Sequence, residues 1–225
     1  MRITLLCSCG LLIEEGHHKL AVDLPCADLP PFAPLTPQDK AHFLNALPPF
    51  DALSGIVFTH RHPDHYDHRL LRQYRELHPQ TPVFVPGQQS PELLTLDWGF
   101  SVTAHRTLHV PVDGFGKSYQ YAYLVRMGEK SVYITGDALA ESAPHLDFLG
   151  TCIPDASFYN GQFFNSEPCR CLLREHSGKS FIYHIPPDAE DVSGMRRKCR
   201  KTAERYASEL GNVTLLEQYP SVIEL

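Results

Sequence analysis

The run Thr59-His60-Arg61-His62-Pro63-Asp64-His65 places three imidazoles and a carboxylate directly behind the apolar segment Ile56-Val57-Phe58. Imidazole nitrogens and carboxylate oxygens are the donors that Zn²⁺ and its neighbours take, and a catalytic zinc keeps about three protein ligands plus an open position for water. His60 and His62 alternate, so both point to one side as a strand gives way to loop. Pro63 tightens the turn that carries Asp64 and His65. Beyond it, Leu70, Leu71, Tyr74 and Leu77 mark one face of a helix predicted over 67–78. A helix beginning there turns its N-terminal amides toward a bound hydroxide or anionic substrate. Surface histidines beside a capping Asp64 are the plain alternative. A solvated loop, however, has no need to concentrate ligands behind a buried strand.

One cluster does not complete a two-metal site, so further ligands must come from other strand ends. Three segments qualify: Ser101-Val102-Thr103-Ala104 runs toward Leu108-His109, Ser131-Val132-Tyr133-Ile134-Thr135 into Gly136-Asp137, and Ser180-Phe181-Ile182-Tyr183 into His184. Each polar residue closes an apolar strand, and their joint arrangement carries more than any one of them.

The order His-x-His-x-Asp-His, a single His, Gly-Asp and a final His resembles the metallo-β-lactamase superfamily over nearly the whole chain. Met1-Arg2-Ile3-Thr4, Ser8-Cys9-Gly10-Leu11-Leu12-Ile13-Glu14 and Lys19-Leu20-Ala21-Val22-Asp23 are further similar to the branch that includes the L-ascorbate-6-phosphate lactonase. The resemblance implies an αββα sandwich of two mixed β-sheets flanked by helices. It implies two divalent metal ions, Zn²⁺ first with Mn²⁺ or Fe as alternatives. It puts His60, His62 and His109 on one ion, Asp64, His65 and His184 on the other, and Asp137 between them, with Asp64 also orienting the attacking hydroxide. His105 is the alternative third histidine; His109 is preferred because it follows the strand and precedes the loop Val110 to Lys117. Arg61 stands where the family often has small residues, and would either bring a cation near the substrate or lie in solvent.

The chemistry implied is hydrolysis by a hydroxide that two metals activate, on a small ester or lactone, phosphorylated or not. Arg61, Lys117, Tyr119, Tyr159 and Asn160 are the candidate substrate contacts. A phosphodiesterase acting on cyclic or small diesters is the alternative, and a metal-binding sensor or iron redox protein is a reading of another class. Glyoxalase-type thioesterases of the superfamily carry a C-terminal helical substrate domain, for which this chain leaves no room.

Composition agrees. The 225 residues, 43% of them hydrophobic, suit a single domain over 1–225. A formal net charge of −6 opposes attraction to a polyanion, so the expected partner is a small molecule and not nucleic acid. Arg196, Arg197, Lys198, Arg200 and Lys201 read as the solvated face of a helix over 189–210 whose buried stripe is Val192, Met195, Cys199, Ala203, Tyr206 and Leu210. The cysteines at 7, 9, 26, 152, 169, 171 and 199 are odd in number and lack paired C-x-x-C spacing, which fits a reducing cytoplasm. Ile3 to Ile13 is apolar behind Arg2, yet no small-x-small site follows and the run continues into a second strand, as a hairpin does. No stretch has the length to cross a bilayer, and the oligomeric state is not encoded legibly.

Strands are predicted at 3–6, 11–14, 20–23, 56–59, 82–85, 102–104, 121–126, 131–135, 157–159, 181–184, 213–216 and 222–224. Helices are predicted at 37–46, 67–78, 91–96, 168–175 and 189–210, and the proline-rich stretch 24–37 as a loop.

Overall fold

The structure is a computed structural model that describes residues 1–87, 90–111, 119–140, 144–176, 178–211 and 213–225. The chain runs β1 (Arg2–Leu5), β2 (Leu11–Glu15), β3 (His18–Val22), α1 (Pro37–Leu44), β4 (Gly55–Val57), α2 (His68–Leu77) and β5 (Val83–Phe84). It continues through β6 (Leu93–Asp97), β7 (Ser101–Leu108), β8 (Tyr119–Met127), β9 (Lys130–Ile134), α3 (Pro144–Leu149), β10 (Ala156–Asn160), α4 (Gly161–Phe164) and α5 (Glu167–His176). β11 (Lys179–Tyr183), α6 (Met195–Arg205), α7 (Ala207–Leu210), β12 (Val213–Leu215) and β13 (Ser221–Glu224) complete it.

Two sheets form, one ordered β13-β1-β2-β3-β4-β5 and the other β12-β11-β10-β9-β8-β7-β6. Alternation along the strands sorts side chains into three apolar layers. Ile3, Leu11, Leu20 and Val57 of the first sheet meet Val102, Tyr123, Ile134 and Phe158 of the second in a shared core. On the far side of the first sheet, Leu12, Ala21 and Ile56 pack with Phe43, Leu71 and Tyr74 of α1 and α2. On the far side of the second, Tyr133, Tyr159 and Ile182 pack with Phe163, Leu172, Cys199 and Leu210 of α4 to α7. The layers are therefore helix, sheet, sheet, helix, and the predicted αββα sandwich of mixed sheets is the observed fold.

Strand direction matters most for function. β3, β4 and β5 are parallel, as are β9, β10, β11 and β12, while β7 pairs antiparallel to β8 and β8 to β9. The C-terminal ends of β3, β4, β7, β9 and β11 therefore open on one edge of the sandwich, the edge where ligands bind in open α/β sheets.

Two predicted helices are corrected. Residues 91–96 form no helix: β6 pairs in register with β7, Leu94 opposite Ala104, and Leu94 and Leu96 reach the core while Leu93 and Asp97 are exposed. The segment Pro-Glu-Leu-Leu-Thr-Leu satisfies either period, and the open edge of β7 decides it. The helix predicted over 189–210 is broken into a 3₁₀ turn at Asp188–Glu190, α6 and α7. Gly194 at φ 68° precedes α6, and Asp191 accepts from the amides of Arg196 (3.2 Å) and Arg197 (3.3 Å). Val192, placed in the buried stripe, is 90% exposed. Arg196, placed on the solvated face, is buried against Glu217, its Nε 3.0 Å from Oε1. Among the described residues no helix is long and apolar enough to cross a membrane.

Candidate metal centre

β4 ends at Val57, and the residues that follow carry His60, His62, Asp64 and His65 across the strand-end edge before Asp67 caps α2, accepting from the amides of Arg69 and Leu70 at 3.0 Å each. His109 follows β7 and forms an isolated antiparallel bridge with Ala138. Asp137 follows β9 through Gly136, whose φ of 56° and crowding make glycine necessary. A Cβ there would lie 2.7 Å from Gln120 Oε1 and 2.8 Å from Thr59 Cβ. His184 follows β11 at φ 56°, an uncommon conformation for a side-chain-bearing residue, held by its N–H donating to Ser8 O at 2.8 Å.

Two donor groups result. One ligand atom each from His60, His62 and His109 lie within 4.8 Å of one another, as do atoms from Asp64, His65, Asp137 and His184. Asp137 belongs to both neighbourhoods: Oδ2 is 3.4 Å from His65 Nε2 and 3.7 Å from His109 Nε2. His184 Nε2 is 3.0 Å from Asp64 Oδ2, and its Nδ1 is 3.6 Å from Asp137 Oδ1. All seven are buried apart from the half-buried His62.

The atoms that face inward are those a cation needs. His109 Nδ1 lies 2.5 Å from Val110 O, so it must carry the proton, which leaves Nε2 as a bare lone pair facing His60 Nε2 at 3.2 Å. His65 Nδ1 donates to Asp23 Oδ2 at 2.9 Å, likewise freeing Nε2. His65 Nε2 and Asp137 Oδ1 are buried without a hydrogen-bond partner, an expensive arrangement that a divalent ion would satisfy.

Electrostatics point the same way. Burial, then the neighbouring imidazoles, holds His60 well below the usual histidine range. Burial and then His109 lower His62, so both are neutral donors. Burial opposes charge on Asp137, yet His184 and His65 hold it well below the carboxylate range. Burial opposes charge on Asp64 too, and there His65 and His184 outweigh it and lower the carboxyl. Burial disfavours a charged His65, but Asp137, Asp23 and Asp64 push it well above its ordinary value. Three carboxylates around one imidazole are a demand for positive charge. A divalent ion meets that demand in place of the proton, and this mixed imidazole and carboxylate set suits zinc, manganese or iron.

The seven predicted ligands thus converge on one place. His105 does not join them: it sits within β7 and faces the helical layer, its Nε2 2.9 Å from the Tyr133 hydroxyl and its ring stacked on Phe148 at 4.0 Å. Of the predicted substrate contacts, Tyr159 is fully buried in the core beneath α4 and does not reach the cleft. Asn160 lines the cleft, but backbone engages both ends of its amide: Nδ2 donates to Gly136 O at 2.7 Å and Oδ1 accepts from Phe163 N at 2.8 Å. Arg61 is exposed with its guanidinium toward Gly87. Tyr119 opens β8, and Lys117 lies outside the described residues.

Sequence reasoning missed Asp23. Fully buried at the end of β3, its carboxylate accepts from Thr59 N (2.7 Å), Thr59 Oγ1 (2.8 Å) and His65. The rule that found Asp137 and His184, a polar residue closing an apolar strand, also singles out Asp23. Phe32, whose ring stacks on His184 at 3.9 Å, lies in the proline-rich loop and left no periodic signal. Cys9, whose thiol donates to Asp64 O and which could share an ion with His65 and His184, was missed as well.

The family described as "Beta-lactamase superfamily domain" matches residues 2–152, more than half of the 225-residue chain. The chain belongs to the metallo-β-lactamase superfamily. Solved structures of the same fold span it end to end. A possible metal-dependent hydrolase from Veillonella parvula DSM 2008 superposes with a TM-score of 0.70 at 14% identity, covering 100% of this chain and 99% of that one. The metallo-β-lactamase fold protein YhfI from Bacillus subtilis gives 0.63 at 14% identity, covering 99% and 98%. The isothiocyanate hydrolase from Delia radicum gut bacteria gives 0.62 at 12% identity, covering 100% and 99%. At such identities the likeness is one of fold. No curated protein matches the sequence.

Proposed function

We propose that this superfamily member is a metal-dependent hydrolase of a small ester or lactone. The observation that carries the reading is Asp137 Oδ2, set between the free nitrogens of His65 and His109 where it can serve two ions together. His60, His62 and His109 would hold one divalent ion and Asp64, His65 and His184 the other, with Asp137 shared; Zn²⁺ is the first choice and Mn²⁺ or Fe the alternatives. When bound, such a pair supplies a Lewis acid and lowers the pKa of water from about 15.7 toward about 7.

The chain's own groups do the rest. Asp64 lines the cleft as a carboxylate held ionised by His65 and His184, and orients the attacking oxygen by accepting its hydrogen. Asp23 fixes the tautomer of His65, and Val110 O fixes that of His109. Phe32, stacked on His184, keeps bulk water from that ligand. No serine or cysteine nucleophile is required. The chain's seven unpaired thiols support a reducing cytoplasm as its place of work.

The test uses protein stripped by chelator and reloaded with Zn²⁺, Mn²⁺ or Fe²⁺, assayed on lactones, aryl esters and bis(p-nitrophenyl) phosphate. Metal-dependent turnover of lactones or esters is expected, lost in Asp64→Ala and Asp137→Ala and kept in a change at the exposed His68. Turnover of the diester alone would replace the ester reading with a phosphodiesterase. A His68→Ala loss equal to that of Asp64→Ala would overturn the assignment of ligands.

A further inference from the structure

The cleft beside the metal cluster is small, and its wall is unlike its floor. It is lined by Leu29, Phe32, Pro63, Val110, Asn160, Gln162 and Met195 together with the cluster residues His62, Asp64, Asp137 and His184. Among the described residues, every ionisable group on it belongs to the cluster. Beside Pro63 of the ligand-bearing turn, the wall is four apolar side chains from three parts of the fold: Leu29 and Phe32 from the loop before α1, Val110 from just past the end of β7, and Met195 from the start of α6. Met195 is seated close, since a Cβ on Gly161 would lie 3.0 Å from its Sδ. Phe32 is held by its stack on His184.

The polar groups of the wall are few. Both ends of the Asn160 amide are engaged by backbone, so it shapes the floor and does not reach for a ligand. Gln162 is exposed at the rim and carries a neutral amide. Arg61, the nearest cation in sequence to the cluster, leans toward Gly87 and is absent from the lining. Among the described residues, a phosphate or carboxylate on the substrate, away from the reacting carbon, would thus meet apolar carbon and a neutral amide in place of the fork or ammonium that anion recognition uses. The cavity volume of about 170 Å³ falls below the roughly 300–1,000 Å³ of sites that take drug-sized ligands.

From this wall we infer that the substrate is a compact uncharged ester or lactone with a short aliphatic chain, and that Phe32 and Met195 determine its size. The inference rests on the ester hydrolase reading and sharpens it: a phosphorylated lactone is disfavoured. The carbonyl faces the metal ligands, the chain lies against Leu29, Phe32, Val110 and Met195, and Gln162 offers its amide N–H to a substrate oxygen at the rim.

The experiment compares γ-lactones of increasing alkyl length with the same lactones bearing a terminal carboxylate or phosphate, using metal-loaded protein. Neutral lactones should win in kcat/KM by at least about tenfold. KM should fall by about fourfold per added methylene until the cavity fills, the worth of one buried CH₂. Phe32→Ala and Met195→Ala should raise KM for the optimal lactone and shift the optimum to longer chains. Phe32→Leu, which keeps apolar bulk, should restore most of the loss. Calorimetric titration with neutral γ-lactams of the same chain lengths gives a second readout, independent of turnover, and affinity should follow the same order. A preference for the charged lactones, or a KM indifferent to chain length in both wild type and Phe32→Ala, would overturn the inference while leaving the ester hydrolase reading intact. If no lactone or ester is turned over and bis(p-nitrophenyl) phosphate is, the ester reading gives way to a phosphodiesterase and takes this inference with it.

Discussion

Asp23→Asn separates the orientation of a ligand from the ligand itself. Asp23 sits at φ 54°, a region asparagine tolerates better than other side chains, so the exchange preserves backbone and volume. The carbonyl oxygen of the new amide keeps the bond from Thr59 N, which in the native chain spans 2.7 Å. Its NH₂ replaces the oxygen that accepts from Thr59 Oγ1 at 2.8 Å and His65 Nδ1 at 2.9 Å. An NH₂ facing Nδ1 demands a lone pair there, so the proton of His65 moves to Nε2, the nitrogen that faces Asp137 Oδ2 at 3.4 Å. Nε2 then donates to Asp137 and no longer offers a pair of electrons to an ion. Loss of such an orienting partner costs roughly 10–100-fold in metal affinity, or about 1.4–2.8 kcal/mol. The larger loss should fall on the ion of His65, which Asp23 holds directly, and a smaller one on the ion of His60, whose Nδ1 lies 3.0 Å from the Thr59 hydroxyl that Asp23 also binds. Competition titration with a chelating dye measures both affinities: one site should weaken by that factor and the other by clearly less. Two unchanged sites would refute the tautomer argument, and two equally weakened sites would refute the division of ligands between the ions.

His109→Ala should lose one equivalent of metal by elemental analysis while His105→Ala retains both; the reverse result would return His105 to the site. Burial lowers His105 to about 3, with help from His145, and lowers His145 to about 4, both against an unfolded value near 6.5. Protons therefore bind the unfolded chain first. Stability is full above the unfolded value and is lost as pH falls toward the folded ones, by about 2 kcal/mol per histidine at about pH 5. Urea titration of metal-free protein should show that loss within the total, and His105→Phe should reduce the total by about 2 kcal/mol at about pH 5; an equal slope in the variant would contradict the assignment. Gly136→Ala combines a positive φ with a clash against Gln120 and Thr59 and should cost about 2–5 kcal/mol in chemical denaturation. A neutral Gly136→Ala would show that the turn before Asp137 has room the packing denies.

The ligand set was legible because every one of its members ends or closely follows an apolar strand, and strand ends on one edge of a parallel sheet are brought together by topology. His109 was separable from His105 by the same logic: a residue inside β7 alternates to one face or the other, and only the residue past its end reaches the edge. What the chain order hid depends on tertiary packing. Residues 91–96 carry leucines at spacings that serve a helix or a strand, and only the free edge of β7 makes them a strand. Gly194 and Asp191 break the long C-terminal helix through a cap whose geometry has no one-letter signature. Phe32 and Met195 are ordinary apolar residues, 163 positions apart, which only the folded chain sets against the same cleft. Tyr159 shows the reverse: its neighbour Asn160 lines the cleft, and one step along a strand sends the side chain to the opposite face.

The donors come from both halves of the sandwich. His60, His62, Asp64 and His65 leave the sheet built on β4, whereas His109, Asp137 and His184 leave the sheet built on β7, β9 and β11. A captured ion is then a rivet through two plates that otherwise adhere by apolar packing and a few hydrogen bonds, such as Tyr121 N–H to Thr59 O at 2.9 Å. Acquiring metal and locking the halves together are a single equilibrium, in which each ion at a hundred times its dissociation constant adds about 2.7 kcal/mol to the folded state. Scarcity of the ion would loosen the seam of the molecule before it touched either sheet.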